Sequence, residues 1–407
     1  MYLDLGDQPA SNSFIFIKDI KNEKKFPLQV FLCESCGLSQ LGTVVSVEEI
    51  FGEYAYRSSS SRALEKSFQS LKNRIMQFEA EIPITTSKLL VDIGCNDGSL
   101  LNQFKDSKFK LLGIEPSSAA KFARESGFEV EQDFFGAEVA DNLLQKYGPA
   151  GYIVVTNVLA HVPDIESFMI GVHTWLSDDG VFVVEFPYVI DMIKNLWFDT
   201  VYHEHLSYLS ITPLSQLFGR IGMKIISIER NEIGGSGPFL RLSAIKVGKE
   251  RNFTENNQLE YFLGLERIFD SRNPASYLGF SAQVQRLRLV VLEQLNKWLA
   301  EGKKIGGFGA PAKGNTFLNY LGLNSAVISE IADNTIEKIG KITPGSHIPI
   351  VDDKIFLERE YDIALLLSWN YLDYFVDNSE YFKQGGLFYC PFPSPKIIDH
   401  LAKDYNE

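Results

Sequence analysis

The chain has 407 residues, of which 45% are hydrophobic and 22% charged, a composition typical of a folded protein with two or three domains. Its formal net charge of −13 disfavours a general affinity for nucleic acid or for an anionic membrane. The sequence has neither an apolar run of the roughly 20 residues that cross a membrane nor a signal peptide pattern. We therefore expect a cytoplasmic protein without nucleic-acid or membrane partners.

The first part of the chain predicts an irregular N-terminal segment followed by an α/β domain. Residues 1–60 contain only short strand-like pieces such as Gln29–Cys33, and residues 62–80 place apolar side chains at helical spacing. After residue 87, strands alternate with helical stretches, which predicts a doubly wound parallel sheet that ends in an antiparallel hairpin. The predicted strands are Lys88–Ile93, Leu111–Ile114, Tyr152–Thr156, Val181–Glu185, Ile225–Glu229 and Phe239–Val247.

The second part of the chain predicts another α/β domain. A polar, helix-like stretch over residues 250–300 connects the two, and the new alternation starts with Lys304–Phe308 and a glycine-rich loop, Gly309–Asn315. We predict an α/β fold with two doubly wound Rossmann-like domains, over residues 61–250 and 251–407, behind the segment 1–60. The further predicted strands are Val327–Ala332, Asp362–Leu367 and Leu387–Tyr389.

A glycine-rich turn, Val91–Ser99, follows the first strand of the first α/β domain and predicts a ligand at a helix N-terminus. Gly94 and Gly98 have no Cβ and let a ligand approach the backbone, and Glu115 ends the next strand, where an acidic residue bonds ribose hydroxyls. Asp97 lies inside the turn, where it would repel a pyrophosphate but tolerate a cationic sulfonium, which favours S-adenosylmethionine over NAD. A turn without a ligand is the alternative. The predicted cofactor-binding residues are Asp92, Gly94, Asn96, Asp97, Gly98, Glu115, Asp133 and Asn157.

Asp133 has two possible roles, as a contact to the edge of an adenine ring or as a helix cap.

The stretch Tyr202-His203-Glu204-His205 has three possible interpretations. A metal site is weakly indicated, because His203 and His205 do not have the spacing of a helical metal pair. A hydrogen-bonded structural cluster is a second interpretation. Acid–base catalysis is the third, since imidazole and carboxyl groups exchange protons near neutral pH.

Six motifs together give the chain a resemblance to a known family over nearly its whole length. They resemble those of the sugar-nucleotide C-methyltransferases of deoxysugar biosynthesis, which act at C3 of dTDP-linked 3-amino- or 4-keto-6-deoxysugars. The resemblance implies a middle domain that binds S-adenosylmethionine and a second Rossmann-like C-terminal domain. The motifs are Tyr54–Ser59, Val91–Ser99, Asn157–Asp164, Glu185–Tyr188, Asp199–Tyr208 and Gly309–Thr316.

The resemblance also implies roles for individual side chains. His205 corresponds to the general base that removes the C3 proton of a 4-keto sugar, and Glu204 to its neighbouring glutamate. Tyr202 corresponds to a tyrosine near the sugar and diphosphate. The further catalytic residues that it implies are Tyr56 and His161.

The sequence departs from the family at the N-terminus and in one loop. The family carries a four-cysteine zinc site, whereas Cys33 and Cys36 are the one pair here, so zinc is left open, and without it we expect the first 50 or so residues to be poorly held. Gly234–Phe239 is longer and richer in glycine than expected, which leaves the sugar open. Lys313, in the second glycine-rich loop, either holds a nucleotide phosphate or belongs to a helix cap.

Our hypothesis is an S-adenosylmethionine-dependent C-methyltransferase whose partner is a nucleotide-sugar substrate, acting as a monomer or weak homo-oligomer. A sugar-nucleotide O-methyltransferase is an alternative, because a hydroxyl also needs a base. A non-catalytic nucleotide-sugar binding protein is another. An NAD-dependent oxidoreductase is disfavoured by Asp97.

Overall fold

The computed structural model describes residues 1–46, 62–81, 83–232, 237–248 and 258–399. Seventeen strands in these ranges form three sheets. In chain order they are β1 Leu3–Gln8, β2 Phe26–Leu32, β3 Ser39–Leu41, β4 Leu89–Ile93, β5 Lys110–Ile114, β6 Glu129–Glu131, β7 Ala150–Thr156, β8 Leu176–Phe186, β9 Ser207–Tyr208, β10 Met223–Asn231, β11 Phe239–Lys246, β12 Ile305–Phe308, β13 Ile331–Ala332, β14 Ile350–Val351, β15 Ile363–Leu366, β16 Leu387–Cys390 and β17 Lys396–Ile398.

The helices of the described ranges connect these strands. None of them combines the length and the apolar character that crossing a membrane requires. In chain order they are α1 Arg62–Glu81, α2 Ser99–Gln103, α3 Ala120–Glu125, α4 Ala137–Tyr147, α5 Ile165–Trp175, α6 Val189–Lys194, α7 Ile211–Arg220, α8 Gln258–Phe269, α9 Pro274–Ala300, α10 Ala312–Leu321, α11 Asp353–Glu358, α12 Leu372–Asn378 and α13 Glu380–Lys383.

The N-terminal segment is more regular than the sequence predicted. Its strands β1, β2 and β3 form an antiparallel sheet that β9 completes from the middle of the chain. Leu28 and Val30 are fully buried in it because they alternate on the side of β2 that faces the core. Residues 1–46 are thus held by long-range strand pairing, which is not visible in local sequence, and their order in the absence of zinc stays a prediction.

The middle of the chain forms a seven-stranded sheet in the order β10-β11-β8-β7-β4-β5-β6. The five strands from β6 to β8 are parallel, and β11 and β10 form the predicted antiparallel hairpin at the edge. The central strands consist almost entirely of buried residues because helices cover both faces. The crevice at their carboxyl ends is where doubly wound sheets bind ligands.

The last sheet has the order β14-β13-β12-β15-β16-β17, in which β17 alone is antiparallel. It confirms the predicted second α/β unit. The predicted loop Gly309–Asn315 is shorter than expected, because α10 begins at Ala312 and includes Lys313.

Two buried carboxylates outside the crevice connect neighbouring elements of secondary structure through hydrogen bonds and an ion pair. Glu185 on β8 lies 2.6 Å from the Arg241 guanidinium on β11, and both side chains are almost fully buried. Glu266 on α8 accepts hydrogen bonds from the Tyr188 hydroxyl and from the first amide of α7, Ile211. Because each carboxylate has charged or amide partners, its burial is compensated.

Candidate active site

One large cavity of about 1840 Å³ lies where the three sheets approach each other. Its walls come from the middle α/β unit, the stretch 200–206, the N-terminal segment and the C-terminal α/β unit. Five of the six sequence motifs therefore contribute to one site, and the sixth, Tyr54–Ser59, lies outside the described residues.

The glycine turn forms the wall that suits an adenosine-containing cation. Gly94 has a φ of 77°, and a Cβ there would overlap the Val158 side chain, so glycine is required. The Glu115 carboxylate accepts hydrogen bonds from the backbone amides of Asn96 and Ser117, each at 2.9 Å. These bonds fix the carboxylate at the cavity wall.

Asp92 supplies the second acidic group of this wall. Its side chain is 1% exposed, and within the described residues its Oδ1 atom has no hydrogen-bond partner. Burial, reinforced by the charges of Glu115, Glu185 and Asp97, raises the pKa of Asp92 to about 8. An uncompensated acidic group at a cavity wall fits a cationic ligand, and the sulfonium and amino groups of S-adenosylmethionine meet that requirement.

The other predicted cofactor residues separate into two groups. Asn96, Asn157 and Asp133 line the cavity with Asp92, Gly94 and Glu115. Asp97 instead accepts a 2.6 Å hydrogen bond from the Ser99 hydroxyl at the start of α2, and Gly98 packs against Ala123. Neither Asp97 nor Gly98 is among the described residues that line the cavity, so direct contact with the cofactor stays a prediction for them.

His205 lines the cavity and is held in one tautomer. Its Nδ1 lies 2.8 Å from the Thr200 carbonyl, which can only accept, so Nδ1 carries the proton. Nε2 then carries a lone pair, which accepts a 2.8 Å hydrogen bond from the Tyr202 hydroxyl. Enclosure by protein, followed by the nearby His161, lowers the pKa of His205 well below its usual value. The ring is therefore a neutral proton acceptor aimed along Nε2.

The side chains beside His205 have different surroundings. His161 makes an edge-to-face contact with His205 at 4.9 Å between ring centroids, and burial lowers its pKa. Glu204 is 4% exposed and accepts a 2.7 Å hydrogen bond from the Asn12 amide. Desolvation raises the pKa of Glu204 to about 7. His203 also lines the cavity, and its Nε2 atom lies 3.2 Å from the Phe26 carbonyl oxygen. The hydrogen bonds of the described residues orient His205 through Thr200 and Tyr202, not through Glu204.

A buried cation faces the same cavity from the C-terminal unit. The Lys313 ammonium hydrogen-bonds the Asn370 side chain and lies 3.9 Å from the centre of the Trp369 ring. The Trp369 indole donates to Asp199 at 2.7 Å, and burial raises the pKa of Asp199 to about 6. Desolvation lowers the pKa of Lys313 to about 8, opposed by the Asp199 charge. Lys313 is thus a charged group in the cavity wall and not only a helix residue.

Sequence reasoning missed an acidic residue in the C-terminal unit. Asp333 follows β13 and accepts hydrogen bonds from the Ala310 amide at 2.7 Å and the Thr335 amide at 2.8 Å. Glu115 has the equivalent position after β5, with one amide from the glycine turn and one from two residues further on. Both carboxylates line the cavity. The rule that found Glu115, an acidic residue after the second strand, would also have found Asp333.

The remaining predicted residues are at the N-terminus. Cys33 and Cys36 are partly exposed free thiols, and hydrogen bonds from the Cys36 amide and thiol lower the pKa of Cys33. No group of three metal-binding side chains occurs in the described ranges, and a structural zinc ion takes four ligands, so these residues do not close a zinc site. Tyr56 lies outside the described residues.

Comparisons with known proteins identify the family of the chain. Residues 63–228 match the family model of a methyltransferase domain, residues 234–393 that of a C-methyltransferase C-terminal domain, and residues 1–51 that of a putative zinc binding domain. The C-methyltransferase NovU of Streptomyces niveus is 31% identical over 399 residues, which cover 97% of this chain and 93% of that protein. The chain belongs to the C-methyltransferase family. It is an S-adenosylmethionine-dependent methyltransferase with this α/β fold.

Solved structures with similarity to the chain are more distant. The magnesium protoporphyrin IX methyltransferase of Synechocystis PCC 6803 with bound S-adenosylmethionine is 12% identical, with a TM-score of 0.34, and the match covers 46% of this chain and 84% of that one. The plantazolicin methyltransferase BpumL with S-adenosylhomocysteine is 15% identical, with a TM-score of 0.37, and the match covers 47% of this chain and 87% of that one.

Proposed function

We propose that this enzyme methylates carbon 3 of a nucleotide-linked 4-keto-6-deoxysugar, with His205 as the base. The observation that carries the proposal is the arrangement of groups around one cavity. The acidic residues Asp92 and Glu115 suit the cofactor, and His205 and Lys313 line the same cavity. A donor, a base and an anion-binding cation are the groups that this reaction needs.

The chain's residues support the proton step directly. A 4-keto group makes the C3 proton acidic, and the lone pair on Nε2 of His205 takes that proton once Tyr202 turns its hydroxyl to the substrate. The C–H electron pair becomes an enolate, whose C3 accepts the methyl group. When bound, S-adenosylmethionine would supply this electrophilic methyl group: its S–CH3 bond breaks as the C3–CH3 bond forms, and S-adenosylhomocysteine leaves with the electron pair. When the imidazolium forms on His205, its Nδ1–H still donates a hydrogen bond to the Thr200 carbonyl.

The nucleotide is assigned to the C-terminal wall. Asp333 has the position and backbone partners that Glu115 has in the cofactor unit, which suits a sugar hydroxyl of a nucleoside. Lys338 lies 3.8 Å from Asp333, and together with Lys313 it gives this wall two cations for a diphosphate. A dTDP-linked sugar is the partner that we propose, and its keto group would lie towards His205.

Two matched substitutions test this division of labour by calorimetry. Glu115→Ala should weaken S-adenosylhomocysteine binding about tenfold and leave dTDP binding unchanged, because a lost charged hydrogen bond costs about 1.5–3 kcal/mol. Asp333→Ala should do the reverse. Melting curves identify a variant that has lost its fold. Equal effects of both substitutions on both ligands would contradict separate walls.

An O-methyltransferase remains the second candidate in the same reaction class, since His205 could equally deprotonate a hydroxyl. Membership of the C-methyltransferase family favours carbon as the acceptor. The position of the new methyl group in the product decides between the two.

A further inference from the structure

The N-terminal segment reaches into the cavity at one residue. Asn12 lines the cavity, and its side-chain amide donates to Oε1 of Glu204 at 2.7 Å. Glu204 is 4% exposed, and in the described residues Asn12 is its one side-chain hydrogen-bond partner. The contact joins residues 192 positions apart, so it depends on how the N-terminal segment docks.

The turn that carries Asn12 is itself fixed from the opposite side. The Asn315 amide donates to the Ser11 carbonyl at 2.6 Å, and the Ser11 and Thr316 hydroxyls are 3.3 Å apart. The Thr316 hydroxyl also lies 3.0 Å from the Val201 carbonyl, immediately before Tyr202. The first turns of α10 thus hold both the N-terminal turn and the start of the catalytic stretch.

The far side of the catalytic stretch is held by the N-terminal sheet. The Leu41 amide donates to the Leu206 carbonyl at 2.9 Å, and β3 pairs with β9 directly after it. Glu204 therefore lies between two anchored backbone points, and the Asn12 amide fixes its carboxyl group. A hydrogen bond donated by an amide stabilises the ionised form of a buried carboxyl group, compared with the same group without that donor.

We propose that Asn12 is a positioning residue of the methyl transfer, holding the Glu204 carboxyl at the cavity wall and favouring its ionised form. This inference rests on the proposed role of His205 as the base. Asn12 would act on that role through the charge of Glu204. An ionised Glu204 stabilises the imidazolium that forms on His205 when the substrate loses its proton. The other titratable groups around Glu204 in the described residues are His161, His203, His205 and Tyr202, and Lys313 is a cation of the same cavity.

A titration that needs no substrate tests the effect of Asn12. Protein labelled with 13C at the glutamate carboxyl is titrated by NMR, and the Glu204 signal is the one lost in Glu204→Gln. Asn12→Leu, which keeps the size but removes the donor, should raise the Glu204 midpoint by about one pH unit, and Asn12→Asp by more. Ser13→Ala, from the same turn but without a role in anchoring it, should leave the midpoint unchanged. A midpoint in Asn12→Leu equal to that of the wild type overturns the proposal.

Turnover gives the second readout. With the nucleotide sugar as substrate, the rising limb of kcat against pH should move up by the same amount in Asn12→Leu, so that activity falls roughly fivefold at pH 7 and returns at high pH. A uniform loss at all pH values would mean that Asn12 only stabilises the fold, and overturns the proposal. If the wild type does not methylate nucleotide sugars, the proposed function fails, while the NMR titration still decides the role of Asn12.

Discussion

The Tyr202 hydroxyl lies 2.8 Å from Nε2 of His205, on the nitrogen that the Thr200 carbonyl leaves unprotonated. In this state the tyrosine covers the lone pair that would take the substrate proton. In our proposal, a substrate that draws the Tyr202 hydroxyl away uncovers His205 as the base, so that one residue of the pair releases the other.

Replacement of His205 by asparagine should abolish proton abstraction and leave the cofactor wall intact. Asparagine keeps a polar side chain but has no basic nitrogen, and general base catalysis contributes about 10²–10⁴-fold. The rate at which the substrate C3 hydrogen exchanges with deuterated water, with S-adenosylhomocysteine bound, should fall by that factor. Calorimetry should show unchanged S-adenosylhomocysteine affinity. Exchange at the wild-type rate would show that another group is the base.

Tyr202→Phe should separate substrate binding from proton abstraction. The change removes the hydroxyl that contacts Nε2 and, in our proposal, the substrate, but it leaves the Thr200 contact that fixes the His205 tautomer. We expect KM for the nucleotide sugar to rise more than kcat falls, since a lost neutral hydrogen bond costs about 0.5–1.5 kcal/mol. A steady-state comparison with His205→Asn measures both. A loss in kcat alone would contradict a role in binding.

The pair of Glu185 and Arg241 gives a stability prediction away from the cavity. Both side chains are at most 2% exposed and lie 2.6 Å apart, so removing one partner leaves an uncompensated buried charge. Arg241→Met alone should destabilise the protein by about 3–5 kcal/mol. The double variant Glu185→Leu with Arg241→Met should recover much of that loss. Urea unfolding of the two variants checks this, and equal destabilisation would show that the charge is not the cause.

Asp92 predicts how the stability of the ligand-free enzyme depends on pH. Its pKa is raised from 3.8 to about 8, so the folded state binds the proton more tightly than the unfolded state. The stability that this carboxyl contributes is complete below pH 4 and is lost as pH rises towards 8. The melting temperature of the wild type should therefore fall more steeply between pH 5 and 8 than that of Asp92→Asn. Parallel curves would contradict the raised pKa.

The order of strands and helices could be predicted because local periodicity carries it. The first strand of each α/β unit, the β10–β11 hairpin and helix α1 follow directly from hydrophobic spacing and glycine punctuation. The sheet formed by the N-terminal segment could not, since its last strand, β9, comes from residues 207–208. Its pairing is a long-range contact with no local signal.

The candidate site shows the same division. Glu115 was recognisable because an acidic residue after a strand is a chemical signal in the sequence itself. The side chains of the stretch Tyr202–His205 also stood out, but His205 was chosen as the base from the family resemblance. Thr200 was not recognisable, because it acts through its backbone carbonyl, which every residue has. Asn12 was not, because its partner Glu204 is distant in the chain. Asp97 had a suitable charge, but in the structure it hydrogen-bonds Ser99 at the start of α2.

Transfer of a labelled methyl group tests the central claim most directly. The enzyme is incubated with S-adenosylmethionine carrying a 13C methyl group and a panel of dTDP- and GDP-linked 4-keto-6-deoxysugars, and the product is examined by carbon NMR. We predict that the label appears as a methyl group bonded to C3 of the sugar, and that His205→Asn gives no labelled product. A methoxy signal, or a sugar left unlabelled by the wild-type enzyme across the whole panel, would contradict C-methylation of a nucleotide-linked sugar.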